Sequence, residues 1–194
     1  MDLLSNELMD DVFETISKPI MINDKLVPSI ITNTPLSKGD EQETKHLHTK
    51  QKVNQGDIIH LGGAQYLIIT ESISKRHNQY KNVIEHCNQM LTVKGQSVTI
   101  RVGFDALGKP IYQTTQDTYE TPCVIGFNRV GSTSNVGNMM ILENSLMAKI
   151  KKNSDNEQYV KLNEEYSIMG KNYKVSHIDN VQTGLLIVQL DAIL

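Results

Sequence analysis

One short pattern occurs twice in this chain, at 57–68 and again at 164–175. The first copy reads Asp57-Ile58-Ile59-His60-Leu61-Gly62-Gly63-Ala64-Gln65-Tyr66-Leu67-Ile68; the second runs from Glu164 through Tyr166, Ile168, Gly170 and Tyr173 to Val175. In each, two apolar residues spaced by two (Ile59 and Leu61; Tyr166 and Ile168) lead into a glycine. A tyrosine then follows, and an Ile or Val lies two residues beyond it. Alternation at period two with glycine between the runs is what a tight β-hairpin requires, because glycine enters positive φ without steric cost. The echo predicts two small β-rich units instead of one α/β domain. It also marks Tyr66 and Tyr173, at the same offset from their glycines, as hairpin anchors.

A chain of 194 residues accommodates one domain or two small ones. Hydrophobic residues make up 39% but aromatics only 5%, and Trp is absent, so the core must come from Ile, Leu, Val and Met. The net charge of −3 and a pI near 6.1 give no basic field for nucleic acid; only Lys149, Lys151 and Lys152 cluster. No apolar run approaches the roughly 20 residues of a membrane helix, so no membrane partner is expected. The acidic start, Met1 to Glu7, lacks the features of a signal peptide, so the chain is expected to be made and kept in the cytoplasm. In that reducing compartment Cys87 and Cys123 are expected as packed thiols and not a disulfide.

Along the chain, Leu4, Leu8, Val12 and Ile16 recur every four residues beside Met9 and Phe13, which predicts a helix ending before Pro19. It would pack on its own domain or dock a partner. Ile20 to Ile31 reads as a hairpin turning at Asn23-Asp24, with Pro28 placing its second strand at a sheet edge. Residues 33–54 are polar and aperiodic and are predicted as a long polar loop, functional or disordered until bound, carrying His46 and His48 as solvated residues. A polar turn is expected from Ser72 to Asn78. Val83, Ile84, Cys87, Met90 and Leu91 fall at helical spacing, while Val83-Ile84 and Thr92-Val93 favour strand, so local pattern leaves 80–93 open. Val98, Ile100 and Val102 alternate as a strand. Residues 111–127 read as strand interrupted at Pro122, and 139–150 as a strand pair around Glu143-Asn144-Ser145. Lys151 to Gln158 reads as a linker, and Leu185 to Leu190 as a strand covered on both faces. The fold class is therefore mainly β: small β-barrel or sandwich units with an N-terminal helix and long polar loops. The expected division is a helical arm at 1–18, a β-rich domain at 19–150 and a C-terminal hairpin unit at 151–194 on the same body.

Site chemistry is not evident. His86 adjoins Cys87, but adjacent side chains diverge on a strand or a helix, which argues against a dyad. His46-Leu47-His48 lacks the further ligands a metal site needs. Gly131-Ser132-Thr133-Ser134-Asn135-Val136-Gly137 lacks the Gly-Lys-Ser/Thr and following helix of a phosphate cradle. No catalytic, cofactor-binding or metal-ligating residue is assigned, and no cofactor is expected. A nucleic-acid-binding barrel would need exposed aromatics and a basic groove, which three Phe and a negative charge do not supply.

The order Gly56-Asp57-Ile58-Ile59, Gly63, Tyr66-Leu67-Ile68, then Glu85-His86-Cys87-Asn88-Gln89-Met90-Leu91, then Glu120-Thr121-Pro122-Cys123-Val124 resembles structural proteins of tailed bacteriophages of Gram-positive hosts. Tyr166, Gly170-Lys171-Asn172-Tyr173-Lys174-Val175, Ile178-Asp179 and Gly184-Leu185-Leu186 resemble their closing β-unit. The chain departs from that pattern in lacking a tryptophan after the Cys-Asn pair and in its longer polar stretch at 33–54. The resemblance implies that Cys87 and Cys123 are core thiols on neighbouring strands, and it favours strand for 80–93. It further implies a virion protein of the head–tail junction: a neck or head-completion subunit in a homo-oligomeric ring. Such a subunit would meet portal, neck and tail proteins and let packaged DNA pass without sequence-specific binding. A tail-tube or baseplate protein is the nearest alternative.

Overall fold

The computed structural model describes residues 6–34, 44–75, 79–127 and 145–193. The chain is mainly β, built as two sheets that follow one another along the sequence. The helix α1 (Asn6–Ile16) leads into β1 (Lys18–Ile22), β2 (Lys25–Asn33), β3 (Thr44–Thr49), β4 (Ile58–Leu61), β5 (Ala64–Ile68), β6 (Ile73–Ser74) and β7 (Tyr80–His86). The second sheet contains β8 (Gln89–Phe104), β9 (Pro110–Phe127), β10 (Ser145–Lys151), β11 (Glu165–Ile168), β12 (Lys171–Asp179) and β13 (Leu185–Ala192). The short helix α2 (Ser154–Tyr159) follows β10.

In the first sheet the order is β3-β2-β1-β4-β5-β7-β6, and β3 also pairs with β7. That pairing closes six antiparallel strands into a barrel and leaves only β6 outside the ring, so the free edges of an open sheet are removed. Leu47, Ile59, Ile68 and Ile84, all fully buried, fill its interior with Ile20, Ile22, Val27, Val53 and Tyr66. Closure corrects two expectations. Residues 44–49 lie within the stretch predicted as loop, yet they form β3, the closing strand, whose Leu47 and Thr49 point inward. Pro28 does not mark an edge, because β2 lies between β1 and β3. Its missing donor is tolerated because the β3 ladder ends at Ser29 opposite Thr49, one residue short of the proline. Segment 35–43 lies outside the described residues, as do the glycine-rich stretch at 131–137 and the first half of the strand pair expected at 139–150.

Both echoed hairpins form, one in each sheet and in the same register. Ile59 pairs with Tyr66 and Leu61 with Ala64; Tyr166 pairs with Tyr173 and Ile168 with Lys171. Each turns through two positive-φ residues, Gly62-Gly63 and Met169-Gly170, the geometry that twists in the same sense as the strands it joins. Asn23-Asp24 does the same between β1 and β2.

The second sheet has the order β11-β12-β13-β10-β9-β8, and its end strands curl towards each other around α2. Asn153 caps α2 by accepting from the Asn156 N–H at 2.7 Å. Asn156 itself is fully buried. Its side-chain amide donates to the Lys151 carbonyl (2.7 Å) and the Thr121 hydroxyl (3.3 Å), and its oxygen accepts from the Tyr119 hydroxyl (3.1 Å). The predicted linker at 151–158 is thus the plug of this sheet, and β9 runs through Pro122 without interruption. The expected boundary at 150/151 falls inside β10, which joins β9 to β13. The chain passes instead from one sheet to the other through Cys87-Asn88, so 80–93 is strand on both sides of that step.

The helix expected at the N-terminus is present, held by Phe13, which is only 2% exposed, while Val12 and Ile16 of the predicted stripe stay exposed. Lys50 pins it with ion pairs of 3.1 Å to Asp10 and Glu14 and stands over the Phe13 ring.

Candidate functional site

Two features dominate the molecule: the seam that locks the sheets together and the part of β8–β9 that leaves the body. The seam is apolar at its centre, where Leu67, Val124 and Leu185 are buried against Ile58, Ile69 and Cys87. Polar clasps surround it. Asn88, in the crossover, donates to the Ile125 carbonyl and accepts from the Ile125 N–H, both at 2.8 Å. Glu85 on β7 pairs with Lys149 on β10 at 2.7 Å, and Lys151 donates to the Asn23 side chain at 3.0 Å. Asn23 in turn engages Asp57 and the Ile58 N–H. Gln55 of the barrel donates to Gln182 (2.7 Å), and Thr183 donates to Glu71 (3.1 Å). A cleft of ≈ 310 Å³ opens beside this rim between Lys52, Ser72 and Thr183. Gln55, Ser72 and Thr183 on its walls already spend their hydrogen bonds within the chain.

The lysines that stood out in the sequence are therefore parts of the seam and the adjoining loops: Lys152 donates to the Asn180 carbonyl at 2.9 Å. Sequence reasoning identified the cluster but not its role, which depends on Glu85 and Asn23 being brought opposite it by the other sheet. His86 and Cys87 diverge as expected. His86 stands edge-on to Tyr66 with ring centroids 5.3 Å apart, whereas Cys87 packs in the seam. Burial, and then the Glu85 charge, push the Cys87 thiol up to about 12; burial, and then Cys87, do the same to Cys123. Both thiols are free, and Cys123 donates to the Gln89 carbonyl at 3.3 Å. Such thiols are held away from the thiolate a nucleophile needs. His46 and His48 lie on β3 and not in a loop. Burial, and then Lys81, lower both imidazoles. Among the described residues no three His, Cys, Asp or Glu side chains are placed to hold a metal ion.

The second feature begins at a bulge. Lys94 pairs with Thr118 and Ser97 with Gln116, so Gly95 and Gln96 stand opposite Asp117 alone. Before the bulge Leu91 and Val93 face the core; after it the phase shifts by one, and Val98 and Ile100 continue that same face together with Ile111 of β9. No described part of the body covers them. Val98 is 44% exposed, Ile100 52% and Ile111 46%; Phe104, Leu107 and Tyr112 nearer the tip are more exposed still. The opposite face is mixed: the Thr99 and Thr114 hydroxyls lie 2.9 Å apart, Tyr112 pairs with Arg101, and the Arg101 guanidinium stands over the Phe104 ring. The tip is well built: Asp105 accepts from the N–H groups of Leu107 and Lys109 at 2.8 Å, and Gly108 turns at φ +77. The clean Val98-Ile100-Val102 alternation announced a strand with one apolar face. It did not announce that the face would have nothing beneath it.

Against this geometry the comparisons with known proteins can be set. Residues 2–86 match the family model of the YomX N-terminal domain. The match points to a phage protein. It covers less than half of the chain, and it ends at His86, the last residue of β7, so the matched segment coincides with α1 and the closed barrel. No curated protein and no solved structure matches the chain.

Proposed function

We propose that this chain is a non-enzymatic structural subunit of a phage virion, one member of a homo-oligomeric ring at the head–tail junction between portal and tail. The observation that carries the phage setting is the YomX N-terminal domain match, whose end coincides with the end of the barrel. Placement at the neck rests on the order of the β-motifs running through Gly63, Cys87-Asn88, Pro122-Cys123 and Gly170, which resembles neck-type proteins. Two properties of the chain suit a ring subunit. The seam locks the two sheets into one body able to bear load across an assembly, and the projecting hairpin offers apolar surface beyond that body. A chain of net charge −3 also suits a channel wall past which DNA slides without being gripped.

Electron microscopy of lysates from a phage lacking this gene tests the proposal. The expected result is filled or leaking heads and finished tails that fail to join. Complete infectious particles would overturn a virion role. Absent or malformed tails beside sealed heads would overturn the neck placement in favour of the tail.

A further inference from the structure

The hairpin beyond the bulge carries an apolar face that nothing among the described residues covers. A two-stranded ribbon is marginal in water unless a third surface packs on it. Its exposed edge is also unguarded, because β8 is the terminal strand of its sheet and carries Arg101 as its sole charge between Gly95 and Phe104. Long edges of low charge and high β-propensity pair with other chains unless they are blocked.

We infer that the segment 97–115 is an arm whose Val98, Ile100 and Ile111 face docks on a second copy of this chain. Charge supports a like partner. Across 95–117 the charges are Arg101, Lys109, Asp105 and Asp117, two of each sign, and none lies at the centre of the apolar face. Two copies can therefore meet there without like-charge repulsion, whereas a basic or strongly acidic partner would find no complement. The face also continues the core face of Leu91 and Val93 in phase, so an occupant would extend an existing core. This inference rests on the reading of the chain as an assembling subunit and names the surface by which it assembles.

Sedimentation of the full chain over a concentration series tests it, with the double variant Ile100→Asp/Ile111→Asp alongside. The wild type is expected to self-associate. The variant should need at least about tenfold higher concentration to do so, with an unchanged melting temperature at dilutions where both chains are monomeric, since neither residue packs on the body. Hydrogen exchange of the wild type gives a readout independent of the variant's folding: amides of 97–104 should gain protection as association proceeds. A wild type that stays monomeric at about 100 µM, or assembles with these amides still unprotected, overturns the inference. So does protection that appears only when another virion protein is added, which would make that protein the occupant. A normal particle yield from the knockout would instead overturn the virion role itself, whatever the sedimentation shows.

Discussion

Gly56 and Gly184 lie in turns that lead into different sheets and meet so closely that a Cβ on Gly56 would lie 1.8 Å from the Gly184 carbonyl oxygen. One on Gly184 would lie 1.6 Å from the Gln55 carbonyl oxygen. Both obstacles are backbone, which cannot swing aside as a side chain would. The Gly184 carbonyl also accepts from the Lys152 N–H at 2.9 Å, so its position is fixed from both sides.

Gly184→Ala is therefore expected to open the seam and cost on the order of 2–3 kcal/mol. Gly103→Ala is the matched control: like Gly184 it has no positive φ, but a Cβ there meets nothing, so little loss is expected. Urea unfolding of both variants checks this, and equal losses would show that the close approach does not matter to stability.

Cys87 and Cys123 should label slowly with a maleimide at pH 8 until denaturant is added. Their raised pKa values suppress the thiolate, and Cys123 is fully buried. The sign for stability follows: a thiol raised in the folded state supports folding below the ordinary thiol pKa and withdraws that support as pH climbs from there towards 12. Cys123→Ala should cost about 1 kcal/mol through lost packing, measured by thermal melting. Rapid native labelling of both thiols would contradict their burial.

His48 titrates in the opposite sense. Its lowered pKa, caused first by burial and then by Lys81, means that its neutral form supports the barrel above the ordinary imidazole value; the support is lost as pH falls below it. The melting temperature should decline between about pH 7 and pH 5, and His48→Gln should flatten that decline. An unchanged slope would remove His48 as a contributor.

Tyr66 and Tyr173 occupy equivalent hairpin positions but unequal surroundings. Tyr66 is 5% exposed inside the barrel, whereas Tyr173 is partly buried at the flank of the second core. Tyr66→Ala should cost about 3–5 kcal/mol and Tyr173→Ala distinctly less, by chemical denaturation. The reverse order would mean that the second sheet, not the barrel, governs stability.

The echoed hairpins were legible because all their information is local: alternation, a glycine turn, and a tyrosine at a fixed offset. β3 was not legible. Lys45-His46-Leu47-His48 shows one large apolar residue, and the segment becomes a strand only because β2 and β7 flank it. The boundary between sheets escaped notice for a related reason. Cys87-Asn88 has neither glycine nor proline, and its role as a crossover comes from Asn88 clasping Ile125 far along the chain. The helix was found with the wrong emphasis, since a stripe of four-residue spacing outweighed Phe13, which is buried while Val12 and Ile16 are not. The hairpin arm lay in between: its strand was visible, but exposure is a property of what the rest of the chain fails to cover.

The barrel draws every one of its strands from before residue 87. A ribosome that has released that much chain has released everything needed to close the ring, and domains made first generally fold first. The second sheet would then grow against a finished surface, with Gly184 arriving after β8 to β12 to meet Gly56. Order of synthesis and order of fit coincide, so the close approach of Gly184 to Gly56 is made against a barrel that is already shaped.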